Sequence, residues 1–258
     1  MKAKALFLFL LILIAAGILG FSQGIEEAMA AVYMKDYEKA REIINSGINV
    51  NEKVRGSYLL NVACYRGHLD TVKLLLDKGA DINSVADDGS TPLIQAGTGD
   101  KTGEIVSFLL ENGVEVNAAD KTGMTALGNS IFKICTSGEN SRLKVLEILL
   151  NHGADFSTPA SGDEDKGYTW LMIACTWNQI ELAEFLITKG LDVNHQADDG
   201  TTSLMVACKE GFGELVKVLV DHGADIHITT DSGETAAGIA EKEGYTEIAD
   251  YLRSIKLL

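Results

Sequence analysis

Apolar residues in this chain fall into paired short stripes, each pair bounded by glycines and polar links. Residues 200 to 227 show the pattern at its clearest. Thr202 precedes a small, apolar run and suits a helix start, because its hydroxyl accepts a backbone N–H. Leu204, Ala207 and Cys208 recur at helical spacing, and Gly211 ends the segment. Leu215, Val216, Leu219 and Val220 form a second stripe, which Gly223 closes. Asp225 leads into a polar link, and Gly233 restarts the cycle. The pattern predicts two helices, neither long enough to be stable alone in water. Each needs a neighbour to cover its apolar face.

The neighbours lie in the same chain. Starting glycines fall at Gly56, Gly89, Gly123, Gly167, Gly200 and Gly233, with spacings of 33, 34, 44, 33 and 33. Four residues after each come Leu60, Leu93, Leu127, Leu171, Leu204 and Ala237. Seven after come Ala63, Ala96, Ser130, Ala174, Ala207 and Ala240. Closing glycines stand at Gly47, Gly79, Gly113, Gly153, Gly190 and Gly223, and Gly79-Ala80-Asp81-Ile82 and Gly223-Ala224-Asp225-Ile226 are near copies. A period near 33 with two helices and a turn per unit resembles the ankyrin-repeat family. The likeness is most literal at Ser90-Thr91-Pro92-Leu93 and Lys78-Gly79-Ala80-Asp81-Ile82-Asn83. It covers roughly residues 25 to 258. It implies an all-α ankyrin-repeat solenoid of about seven helix-turn-helix units with β-turn fingers. The units fall near 25–55, 56–88, 89–122, 123–166, 167–199, 200–232 and 233–258, in one elongated domain spanning 23–258.

Met1 to Ser22 stands outside this pattern. Lys2 and Lys4 give a basic start, Ala5 to Leu19 carries no charge, and Gly20-Phe21-Ser22 suits a cut after Ser22. This is the pattern of a signal peptide and predicts a periplasmic or secreted protein. A short retained membrane anchor is the alternative, with the repeats on the exported side in either case. No Cys follows the apolar run, so a bacterial lipid-attachment box is absent.

Charge narrows the choice of partner. The formal charge of −15 becomes −17 once Lys2 and Lys4 are removed. Such a surface repels phosphate backbones and anionic membranes, so nucleic acid is not expected, and membrane only if residues 1–22 are retained. Acidity that keeps an exported chain soluble is the simpler reading. An acidic face built for a basic partner is the other.

Cys64, Cys175 and Cys208 each sit eight residues after a starting glycine. Equivalent positions on stacked helices lie ~8–10 Å apart, beyond the ~7 Å limit between disulfide-bonded Cα atoms. They are expected as buried, unpaired thiols. Cys135 lies in an irregular stretch, where the repeat sets no expectation of its exposure. His68 is expected to be structural, and His152 and His222 to cap helix ends.

Several departures from the repeat stand out. Residues 25 to 55 read as a degenerate cap, with Lys35-Asp36-Tyr37 in place of the tight turn. Tyr58 replaces a capping Thr. Gly97-Thr98-Gly99-Asp100-Lys101-Thr102-Gly103 superficially suggests a phosphate loop, but Asp100 and Gln95 stand where that motif needs glycines, so an enlarged turn is expected. Unit 123–166 carries two insertions, one around Thr136 to Ser141 between its helices and one at 159–166. The acidic run Asp163-Glu164-Asp165 lacks the spacing of a calcium loop. Trp170 sits where the family usually has Pro, and Asn178 where a glycine would end the helix. Residues 233 to 258 read as a C-terminal cap.

No catalytic constellation, cofactor fingerprint or metal-ligand spacing is recognisable, so an enzyme is not expected, and no cofactor or metal. The family resemblance places contact residues at the finger tips and late in the first helices. In this chain those positions hold Tyr65, Arg66, Asp87, Asp88, Met124, Phe132, Lys133, Tyr168, Trp177, Asp198, Asp199, Lys209 and Glu210. Aromatic residues and Met cluster centrally with charge around them, as in a protein-binding hot spot. The expected function is a monomeric, exported, non-catalytic module holding a polypeptide partner on its concave face. The rivals are an inhibitor or immunity protein for an exported enzyme or toxin, an enzyme built in the insertions, and an anchored scaffold.

Overall fold

The computed structural model describes residues 23–156 and 167–255. The expected signal peptide and the insertion at 159–166, with its acidic run, lie outside the described residues. Fourteen α-helices follow one another from Gln23–Tyr33 to Thr246–Ser254, and no strand occurs among the described residues. They pair into the seven expected units. Within each unit the two helices pack on each other. Between units, first helix meets first helix at every junction, and second meets second at most of them. The core is therefore a ribbon running the length of the stack, built only from nearest-neighbour contacts.

The residues that set the repeat also fill the ribbon. Leu60, Leu93, Leu127, Leu171 and Leu204 are all buried, each contributing about 2 kcal/mol by leaving water. The row Ala63, Ala96, Ser130, Ala174, Ala207 and Ala240 is fully enclosed, because small side chains let adjacent first helices approach. Ser130 is the hydroxyl in that row, and it lies 2.8 Å from the Ala126 carbonyl and 3.0 Å from the Gly97 carbonyl. Ala237, in the terminal unit, is half-buried.

Local chemistry fixes the helix ends. Thr91, Thr125, Thr169, Thr202 and Thr235 each accept a backbone N–H at the helix start, a contact worth about 1 kcal/mol. Tyr58 makes no such bond. Asn178 and Lys35 hold left-handed backbone at φ 52° and 63°, matching Gly67 and Gly211 in the equivalent helix-to-helix turns. His68 accepts the Thr71 N–H and stacks on Tyr37, and the His152 and His222 rings bond the Ile148 and Val218 carbonyls at 2.8 Å. These histidines serve helix ends and turns.

Asparagines staple neighbouring units. Asn194 Nδ2 donates to the Gly223 carbonyl at 3.0 Å, while its Oδ1 accepts the Asp225 N–H at 2.7 Å. Asn51 and Asn117 make the same pair of bonds to Gly79 and Asp81, and to Gly153 and Asp155.

The first insertion differs from expectation. It is not a loop between helices. The first helix of unit four runs Ala126–Ser137, 12 residues against 8 for Ser203–Glu210. The added residues keep helical apolar spacing, so Ile131, Ile134 and Cys135 extend the buried stripe of Leu127. A short 3-10 turn, Asn140–Arg142, then leads into the second helix. Cys135 is thereby buried, and all four thiols are free. Burial pushes Cys135 up to about 11 and Cys208 to about 12, and raises Cys64 and Cys175 too.

Candidate functional site: the concave face

Finger tips and first helices form one side of the stack. The fingers are tight turns joined in series. The Asp87 N–H donates to the Gly56 carbonyl at 2.7 Å, the Lys121 N–H to Asp88 at 2.9 Å, and the Asp231 N–H to Asp199 at 2.9 Å. Asp88 and Asp199 serve these turns before any partner. The Asp88 carboxylate accepts the Ser90 hydroxyl and N–H, and Asp199 accepts the Thr201 N–H, contacts that hold both groups below the usual carboxylate range.

The predicted residues divide into three sets. Tyr65 is exposed beside Arg66, whose guanidinium lies 5.2 Å from the Tyr33 ring centroid. Phe132 and Trp177, on units four and five, are 48% and 47% exposed, while Lys133 is half-buried. Tyr168, Asp199, Lys209 and Glu210 line a single groove of about 680 Å³ across units five to seven. Met124 joins none of these sets. It is half-buried against the core, where a Cβ built on Gly128 would lie 2.6 Å from its sulfur and 2.9 Å from the Trp170 ring. Gly128 thus makes room for Trp170, which is almost fully buried.

Some surface residues escaped the sequence reading. Tyr33 and Met34 are the most exposed large apolar side chains among the described residues, at 58% and 56%. Unit one lacks a starting glycine to mark its finger tip and first helix. The turn at Lys35, 32 residues before Gly67, would have aligned Tyr33 with Tyr65. Asp231, at the end of unit six, and Glu234, Lys242 and Glu243, from the last unit, complete the groove. That unit read as a cap and was not mapped.

A clamp around the buried Asp100 and Arg142 side chains was also missed. Asp100 accepts backbone N–H bonds from Thr102 and Gly103 on Oδ1 and from Ile105 and Val106 on Oδ2, all within 3.0 Å. The start of helix Glu104–Glu111 is thus occupied by the chain's own carboxylate, which suits the enlarged turn expected there. Arg142, from unit four, is buried and donates to the Asp100 carbonyl at 3.0 Å. Its Nε bonds Glu139, which Lys101 also holds at 2.7 Å. Lys101 and then Arg142 depress the Glu139 carboxyl to about 2.

Among the described residues no cluster of His, Cys, Asp and Glu is arranged to hold a metal ion, and no helix is long and apolar enough to cross a membrane. The geometry offers a rigid surface for contact.

A family model described as "Ankyrin repeats (3 copies)" matches residues 28–120, 60–159, 100–197 and 190–256. A Caenorhabditis briggsae "Ankyrin repeat and KH domain-containing protein" is 34% identical over 137 residues, 52% of this chain and 5% of that protein. The chain therefore spans a small part of such relatives. A chain of the solved complex of the Bd0816 predatory endopeptidase from Bdellovibrio bacteriovorus with immunity protein Bd3460 is 28% identical, with a TM-score of 0.65. The match covers 80% of this chain and 100% of that one. The human ASB11 ankyrin repeat domain matches at a TM-score of 0.71 and 23% identity, over 89% of this chain and 99% of that one.

Proposed function

The chain belongs to the ankyrin-repeat family, and from that premise we propose that it is an exported, non-catalytic protein that holds a polypeptide partner on its concave face. Ankyrin repeats are protein–protein interaction modules, and the coarse function follows from membership. The observation that carries the finer reading is the row of exposed aromatic side chains, Tyr33, Tyr65, Phe132 and Trp177. Water-exposed aromatics on a rigid stacked scaffold cost little ordering on binding and bury large areas. The face acts as a preformed surface on a single chain, without nucleic acid. Export rests on the pattern of residues 1–22, with the periplasm or the exterior as destination.

A second reading has its own support. In it the chain is an immunity-type inhibitor that occludes an exported hydrolase. The likeness to a chain of the endopeptidase–immunity protein complex favours this, since the alignment covers that chain's full length.

Affinity capture from the exported fraction tests both. The wild type is expected to retain a protein that the double variant F132A/W177A loses. Equal capture by both would overturn the concave-face reading. If the captured protein is a hydrolase inhibited by the wild type alone, the second reading holds. N-terminal sequencing tests export, with Gln23 as the expected first residue.

A further inference from the structure

The groove across units five to seven differs in chemistry from the aromatic row. Five carboxylates line it, Asp199, Glu210, Asp231, Glu234 and Glu243, against two ammonium groups, Lys209 and Lys242. One of the two cations is engaged, since Lys242 bonds Glu234 at 2.8 Å. Among the described residues Glu210, Asp231 and Glu243 form no ion pair, and Glu243 shares the field of Lys242 with Glu234. Beneath this rim, Ile173, Val206 and Ile239 give the groove an apolar floor.

We propose that this groove takes an extended, basic segment of the polypeptide partner, its cationic side chains meeting Glu210, Asp231 and Glu243 while alternate apolar side chains rest on the floor. The inference rests on the concave-face reading and adds the partner's polarity: apolar surface toward units one to five, basic chain toward units five to seven. The dimensions agree. Three first helices at ~8–10 Å spacing span ~16–20 Å, the length of about six residues of extended chain at ~3.3 Å each. Side chains alternate along such a chain, so one set faces the floor and the other the rim. Each exposed ion pair is weak, but three together with a buried apolar set discriminate against an acidic segment.

The test uses a fluorescein-labelled octapeptide of alternating arginine and valine, with its glutamate–valine counterpart, on the full chain. The wild type is expected to bind the arginine peptide and not the glutamate peptide. E210Q/D231N/E243Q is expected to weaken binding about tenfold. E181Q/E214Q/E247Q, on exposed starts of second helices, removes the same charge and is expected to change binding by less than about twofold. Equal losses in the two triples would reduce the effect to net charge and overturn the proposal, as would no binding by the wild type at millimolar peptide. The outcomes separate cleanly. A partner lost by F132A/W177A but indifferent to the groove triple sinks this inference and leaves the concave-face reading standing.

Discussion

Units four and six are built on the same repeat and solve it in different ways. Unit six keeps the period. Thr202 caps it, Gly211 turns it, and Asn194 of the preceding unit staples it through two backbone bonds. Its first helix ends in Lys209 and Glu210, so its outward contribution is charge. Unit four breaks the period. Its first helix gains a turn, Arg142 is buried against unit three, Gly128 yields space to Trp170, and Phe132 stands in water. The staple that holds unit six to unit five is made of neutral bonds. The irregular unit carries a buried cation that the regular repeat does not supply, together with an exposed ring at the position that Tyr65 holds in unit two.

Removing the clamp should separate the two units most sharply. Arg142→Ala takes a donor from the Asp100 carbonyl and empties a buried site, while Lys101 still holds Glu139, and a loss of about 2–3 kcal/mol in urea unfolding is expected. The pair F132A/W177A should leave unfolding unchanged yet cost about 2 kcal/mol or more in affinity for the captured partner, measured by calorimetry. Asn194→Ala, the matching lesion at unit six, should cost about 1 kcal/mol in the same unfolding assay. A loss at Asn194 as large as at Arg142 would erase the contrast.

The smallest effect follows pH. Glu139 is depressed in the folded state to about 2, from an ordinary 4.5, first by Lys101 and then by Arg142. Its contribution is therefore present above about pH 4.5 and lost as pH falls through about 2. Its side chain is 31% exposed, and solvent screening keeps the effect under about 1 kcal/mol. The melting-temperature gap between wild type and E139Q should narrow from about pH 5 to pH 2. The gap for Asn194→Ala, at a side chain that does not titrate, should not follow that course.

Most of the scaffold was legible because it repeats. The leucine and alanine rows, the threonine caps and the left-handed Asn178 each follow from local chemistry seen several times over. What repeats once was harder to read. The residues around Thr136 looked like a loop because they lengthen the interval between glycines, although Ile134 and Cys135 continue the apolar stripe. Asp100 looked like turn filler, since four N–H groups converging on one carboxylate are a property of the folded turn. Tyr33 was missed for want of a glycine to count from. Of the candidate contacts, Phe132, Trp177, Tyr65, Lys209 and Glu210 stand exposed, whereas Met124 turned inward because Gly128 and Trp170 shape a niche that no spacing rule encodes.

Photocrosslinking tests the concave face most directly. A benzoylphenylalanine placed in turn at Phe132, Trp177 and Lys144, the last exposed on the second helix of unit four, is irradiated with the exported fraction. The account predicts one shared adduct from positions 132 and 177 and none from 144. An adduct from 144, with none from 132 or 177, would contradict it.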